Sequence, residues 1–253
     1  MITVTNLSYT FPVQNGVSFV LSDISFSVNE NEILVLLGSS GCGKTTLLRL
    51  LSGHLTPDIG NILIDGFAPE MKRGMLGILY QDPRLIPWLN IKENICLPNK
   101  IQSLNNNSVI NFDNLVDVLR LRNHLTAYPA QLSGGLRERT AIARALINAP
   151  NVLMLDEPLD STDYMHRLEV EDYIFNYVRK CKACCVIVTH DLEMALALGD
   201  EILLMPAIEN HIKSEKFSIS PTLKALLPSQ ARVSPEMSTS LSSLLKKYKR
   251  LYR

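Results

Sequence analysis

The chain has 253 residues with 25 acidic and 25 basic side chains, so its formal net charge is zero and no global field recruits nucleic acid or anionic lipid. That length supports one compact domain with an added lobe and a sizeable core. Five cysteines in no evenly spaced framework, and an N-terminus MITVTNLSYTF without the basic-then-apolar profile of a signal peptide, predict a reduced, cytosolic chain that needs no disulfides.

In chain order, Ile2 to Val4, Val20 to Leu21 with Ile24 to Phe26, and Ile33 to Leu37 read as short strands, the first two joined by a hairpin around Asn15 and Gly16. The third is strand-length and far below the ~20 apolar residues of a membrane-spanning helix. It runs into GSSGCGKT at Gly38 to Thr45, which fits G-x-x-x-x-G-K-[ST], and then into TTLLRLLSGHL at Thr45 to Leu55, apolar at helical spacing. Strand, glycine loop and helix in that order form a phosphate site. Backbone N–H groups of Gly38, Ser39, Ser40, Gly41, Cys42, Gly43, Lys44, Thr45 and Thr46 turn inward around the α- and β-phosphates of a nucleotide. Lys44 is expected to reach the β- and γ-phosphates, and the Thr45 hydroxyl to take one position on Mg²⁺. Cys42 is expected to make the loop sensitive to thiol reagents.

Ile62 to Ile64 before Asp65-Gly66 predicts a strand and turn, and Leu76 to Tyr80 a strand delivering Gln81. The neutral amide of Gln81 can accept from an attacking water and reach Mg²⁺. From about Asn90 to Pro150 the β-branched runs disappear, and Phe112 to Leu121 carries apolar residues at i, i+3, i+4 and i+7, predicting a helical lobe with a polar loop at Ser103 to Ser108. The predicted divisions are residues 1–88 for a nucleotide-binding core with an N-terminal β subdomain, 89–149 for the helical subdomain, 150–208 for the core continued and 209–253 for a tail.

Within the helical lobe, LSGG at Leu132 to Gly135 precedes the helix LRERTAIARAL. Ser133, Gly134 and Gly135 therefore give a helix N-terminus with a hydroxyl and unobstructed N–H groups, a second anion site. It makes most sense if it covers a γ-phosphate held by another copy of the chain. Val152 to Leu155 and Cys185 to Val188 are wholly apolar, as expected of parallel strands covered on both faces. Asp156 ends the first and supplies the charge that holds hydrated Mg²⁺. Glu157 is the expected general base, its pKa raised by Asp156 and the bound phosphates; the competing reading is an ordinary surface acid. His190 follows CVIVT at a strand end, where ligands of open α/β sheets bind, within reach of a γ-phosphate. Cys181 and Cys184 form a Cys-x-x-Cys pair, but no second pair at metal-site spacing accompanies them. After Met205, Pro206, Pro221, Pro228 and Pro235 are expected to break the tail into short pieces. The last eight residues, KKYKRLYR, hold five cations and predict a solvated, frayed helix or one that touches a partner or headgroups.

The order phosphate loop, Gln81, LSGG, Asp156-Glu157 and His190 resembles that of the ATP-binding cassette (ABC) ATPases over about Met1 to Met205. The resemblance implies an α/β P-loop NTPase (RecA-like) core with an N-terminal antiparallel β subdomain and an inserted helical subdomain. It also implies a head-to-tail homodimer sandwiching two ATP molecules, with Ser133 and Gly135 acting in trans. Phe11 (or Tyr9) would stack on adenine, and Asp163 matches the aspartate of the loop after the catalytic glutamate. The segments QDPRLIPWLNIKENI at Gln81 to Ile95 and AYPAQLSGGLRERTAIARAL, with Leu136 after LSGG, are most similar to the nitrate, sulfonate and taurine import branch. That likeness implies an ATPase subunit at the cytoplasmic face of the inner membrane, powering two transmembrane permease subunits and an extracytoplasmic solute-binding protein, with Pro83 to Trp88 near the groove that receives a coupling helix. Two departures stand out: DSTD at Asp160 to Asp163 where SALD is usual, which is expected to bring an extra acid into the dimer seam, and Thr140 where an apolar residue is common. An exporter or lipid-handling ATPase shares the same core motifs. A soluble ABC ATPase acting on DNA or ribosomes would usually bring a coiled-coil insertion or two cassettes, and neither is present.

Overall fold

In the computed structural model, the described residues are 1–11, 19–102, 110–206 and 214–251. The predicted hairpin turn at Asn15 and Gly16 and the loop at Ser103 to Ser108 fall outside them. Two sheets form the frame. In the first, β1 (Ile2–Phe11) lies between antiparallel β2 (Phe19–Val28) and β4 (Ile59–Ile64). Both N-terminal strands outrun their apolar runs because a bulge corrects the alternation. Ile2 and Val4 face inward, and a register shift between Val4 and Leu7, with Asn6 at φ 49°, returns Leu7 to the buried face.

The second sheet has the order β5-β6-β7-β3-β8-β9. Its first five strands, β5 (Leu76–Leu79), β6 (Val152–Asp156), β7 (Cys184–Thr189), β3 (Ile33–Leu37) and β8 (Glu201–Leu204), run parallel, and β9 (Glu215–Ser218) closes one edge antiparallel to β8. Every residue of β3, β6 and β7 is buried, because side chains alternate between two cores. Val35, Leu155 and Ile187 face the helices, whereas Leu36, Met154 and Val186 face α1 (Lys44–Leu51) and the antiparallel sheet. Cys184 and Cys185 point into opposite cores, and burial pushes the Cys184 thiol up to about 12. Among the described residues, the cluster of side chains placed as metal ligands is Glu157, Asp160 and His190, which includes neither Cys181 nor Cys184.

Between β5 and β6 come α2 (Ile91–Gln102), α3 (Phe112–Val118) and α4 (Gly134–Leu146). The periodic run from Phe112 ends as a helix at Val118, three residues early, since Arg120 turns left-handed at φ 51°. Beyond β6 lie α5 (Tyr164–Cys181) and α6 (Leu192–Leu198). The tail departs most from expectation. It forms α7 (Pro221–Lys224), α8 (Pro228–Arg232) and the 17-residue α9 (Pro235–Leu251). Pro221, Pro228 and Pro235 each open a helix, because the first turn has no use for the missing N–H; the first two helices are short pieces, as expected, and only the third is long. Met237, Leu244 and Leu251 recur every seven residues and are buried against the core, so the described part of the basic terminus is docked and not frayed. Among the described residues no helix is long and apolar enough to cross a membrane.

Candidate nucleotide site

Four neighbouring parallel strands, β5, β6, β7 and β3, end on the same edge of the sheet. The residues that follow them are Gln81 one residue beyond Tyr80, Glu157, His190 and the Gly38 loop. Over the loop opens a cleft of about 440 Å³ lined by Ser40, Gly41, Gly43, Lys44, Thr45, Thr46, Arg49, Gln81 and Glu157. Gly41 and Gly43 adopt φ 82° and 95°, left-handed values that tighten the loop before α1 begins. The ammonium of Lys44, almost wholly buried, donates to the carbonyls of Gly38 (2.8 Å) and Ser39 (2.9 Å) and lies 3.9 Å from Glu157 Oε1. Cys42 is only 4% exposed and packs into the core beneath the loop, which argues against the thiol sensitivity expected from its position.

Asp156 is 1% exposed, and neither carboxylate oxygen has a hydrogen bond of normal geometry. Burial raises its pKa, opposed by the nearby Thr45 hydroxyl and the charges of Lys44 and Arg49. A buried carboxylate with two unused oxygens beside a hydroxyl is what a hydrated divalent cation requires, so Asp156, Thr45 and Gln81 fit Mg²⁺. Glu157 sits at φ 51° with its N–H bonded to Val188 O at 2.9 Å, and its Oε2 lies 2.6 Å from His190 Nδ1. Its pKa is raised, as expected, but for a different reason. Burial acts first and Asp160 adds to it, while His190 opposes; Asp156 is not among the causes. Asp160, the extra acid of DSTD, lies beside Glu157: polar atoms of Glu157, Asp160 and His190 are all within 4.8 Å of one another.

Ser133 caps α4 by accepting from the Leu136 N–H at 3.3 Å. Ser133 and Gly134 are exposed, and Ser133, Gly134, Gly135 and Asp163 do not line the cleft of their own chain. Asp163 caps α5 by accepting from the His166 N–H at 3.1 Å. Phe11 ends β1, but its side chain falls outside what is described; Tyr9 is half-buried against the core. Thr140 is fully buried, its hydroxyl donating to Leu136 O at 2.7 Å, so the polar group is satisfied within its own helix.

Three contributors were not legible in the sequence. Glu138 of α4 accepts from the N–H groups of Leu159 (3.0 Å) and Ser161 (3.2 Å), holding the loop that follows Glu157. Arg144 of the same helix donates to Pro83 O (2.7 Å) and Arg84 O (2.9 Å), holding the segment that follows Gln81. Arg167 pairs with Asp191, next to His190, at 2.5 Å. All three stand among ordinary helix-surface charges, and only their partners distinguish them.

Residues 21–160 match the family model described as ABC transporter. The chain is 34% identical over 244 residues to the uncharacterized ABC transporter ATP-binding protein YtlC of Bacillus subtilis (strain 168), covering 96% of this chain and 94% of the relative. It is 34% identical over 206 residues to the aliphatic sulfonates import ATP-binding protein SsuB of the same organism, covering 81% and 80%. Among solved structures, the dimeric post-hydrolysis state of the ATP-binding cassette MJ0796 bound to ADP and Pi aligns with a TM-score of 0.76 at 23% identity, over 87% of this chain and 99% of that one.

Proposed function

The chain belongs to the ABC transporter ATP-binding family, and from that premise we propose that it hydrolyses ATP to power an importer of a small solute of the nitrate, sulfonate or taurine type. The observation that carries the reading is the convergence on one cleft of the Lys44 ammonium, the Glu157 carboxylate 3.9 Å away and the His190 ring 2.6 Å beyond it. The import assignment is supported by relatives named for aliphatic sulfonates import.

In this reading the ATP phosphates lie along the Gly38 to Thr46 loop, and Lys44 exchanges its two carbonyl partners for β- and γ-phosphate oxygens. Glu157 orients a water and takes its proton as the water oxygen attacks the γ-phosphorus and the bond to the bridging oxygen breaks. His190 fixes the Glu157 carboxylate and presents a ring nitrogen toward the γ-phosphate. Thr45, Asp156 and Gln81 would hold Mg²⁺, which would supply charge neutralisation to the phosphates. Ser133 and Gly135 of a second copy cover the γ-phosphate, and Asp163 lies at the same seam. Phe11 supplies the ring against adenine. The homodimer docks on two transmembrane permease subunits at the cytoplasmic membrane face, near Pro83 to Trp88, where Trp88 is 74% exposed. An extracytoplasmic solute-binding protein delivers the solute.

The test is light scattering alongside phosphate release for wild type and Glu157→Gln with MgATP. ATP-dependent dimers that persist in a hydrolysis-dead Glu157→Gln are expected. Retained hydrolysis in that variant, or no ATP binding by the wild type, would overturn the reading. The import branch is tested separately: with the copurified permease in vesicles, an alkanesulfonate-loaded binding protein should stimulate hydrolysis, and no response to it would sink the sulfonate assignment.

A further inference from the structure

Glu171 of α5 is fully buried, carries charge and has no part in the chemistry above. It is held by two cations from different parts of the chain. Arg167, one turn earlier, donates from Nε to Oε1 at 2.8 Å. Arg232, the last residue of α8 in the tail, grips the carboxylate with both terminal nitrogens, Nη1 to Oε2 and Nη2 to Oε1, the latter at 3.0 Å. The other end of Arg167 does not stop at Glu171. Its Nη2 reaches Asp191 Oδ2 at 2.5 Å. Asp191 in turn accepts from the N–H groups of Glu193 (2.8 Å) and Met194 (3.0 Å) as the cap of α6, and its own N–H is bonded to Thr189 Oγ1 at 3.0 Å. Asp191 is thus fixed at backbone and carboxylate, and its peptide bond is shared with His190, the residue that touches Glu157.

The four groups balance: two carboxylates, two guanidiniums, in an order that alternates in sign from the tail to the cleft. Arg167 is shared between two acids only because Arg232 satisfies most of Glu171. Without Arg232, Glu171 would retain a buried oxygen with no cation, and unpaired buried charge is costly enough to draw Arg167 fully onto Glu171. Asp191 would then lose its ion pair, and the anchor of His190 would loosen. The tail is well seated for this role. Ser229 of α8 bonds Asp172 of α5 through both its N–H (2.9 Å) and its hydroxyl (2.6 Å), so α8 is fastened at both ends, and it packs against α6 as well.

We propose that Arg232 is a positioning residue for hydrolysis: by neutralising Glu171 it frees Arg167 to hold Asp191, and so sets the orientation of His190 against Glu157. This rests on the reading of His190 given under Proposed function. It assigns the tail a part in the nucleotide cycle through a buried ionic relay, so that any partner that lifts α8 from α5 would slow hydrolysis without occupying the cleft.

The test uses the full chain carrying Arg232→Met and Arg232→Lys, with kcat and KM for MgATP hydrolysis measured beside the imidazole nitrogen resonances of His190, assigned by their loss in His190→Gln. For Arg232→Met, kcat is expected to fall about tenfold from misorientation alone, with KM within about twofold of wild type, because the phosphate loop is untouched. The His190 resonances should shift, and Arg232→Lys, which keeps the charge, should recover part of both changes. If Arg232→Met does not fold, Arg232→Gln carries the same readings. Unmoved His190 resonances in a folded neutral variant would overturn the relay, as would an unchanged kcat. Wild-type hydrolysis by His190→Gln would instead overturn the role given to His190, whereas the resonance shift would still report the link from Arg232.

Discussion

Glu157 and Leu159 both occupy left-handed backbone, at φ 51° and 74°, a conformation that costs of order 1–3 kcal/mol for such residues and persists only where neighbours impose it. Here the imposing groups are Val188 O on the Glu157 N–H and Glu138 on the Leu159 and Ser161 N–H groups. The turn aims Glu157 back across the strand ends toward His190 and Lys44. Its raised pKa is in keeping with the general-base role proposed for it. Asp160 contributes to that rise, so Asp160→Ser should lower the Glu157 pKa. A base is active when deprotonated, so the acidic limb of kcat/KM against pH should move to lower pH, which a pH–rate profile of the two proteins checks. Gly135 is constrained by the same loop from the other side. A Cβ there would lie 2.7 Å from Ser161 O, a backbone atom that cannot step aside cheaply. Gly135→Ala is expected to cost about 1–3 kcal/mol, read by urea unfolding.

The element that organises the site is α4. Its N-terminus presents Ser133, its second turn sends Glu138 to the loop after Glu157, and its last turn sends Arg144 to the carbonyls after Gln81. One helix therefore bridges LSGG and two loops of the cleft. Glu138 also gives the element a pH signature. Burial raises its pKa, opposed by the Ser161 and Leu159 N–H groups. With the folded pKa above the unfolded one, the native state binds more protons in the interval between them. The stability contributed by Glu138 therefore falls as pH rises from about 4.3 through the raised value. Glu138→Gln lacks that dependence and loses one of the two accepted bonds, at a cost of about 1–3 kcal/mol. Its deficit relative to wild type should accordingly narrow as pH rises through that interval, measured by urea unfolding at several pH values.

For the whole molecule, the two sheets, backed by two buried cores, form the frame on which the nucleotide edge is built. The tail belongs to that frame: Leu223, Leu244 and Leu251 are at most 1% exposed and join the core of the parallel sheet. Leu244→Ala should destabilise the full chain by about 2–5 kcal/mol, seen as a lower denaturation midpoint. A tail that merely decorated the surface would leave that midpoint where it was.

How much of this was legible follows from where the information lies. The phosphate loop, the strands that end in Asp156 and Thr189, and the residues Lys44, Glu157 and His190 could be read directly, because left-handed glycines, apolar runs and helix starts are constraints between neighbours in sequence. The prolines do divide the tail as expected, but its docking was missed, because whether an apolar stripe such as Met237, Leu244 and Leu251 is solvated or covered depends on its finding a surface. Only the tertiary structure decided the strand order β5-β6-β7-β3 that brings four loops to one edge, the pairing of Glu138 with a loop about twenty residues away, and the bond from Arg232 to Glu171 across 61 positions. Buried partners of this kind are chosen by packing and by the cost of leaving charge or an N–H unsatisfied, and neither quantity exists until the chain has closed around it.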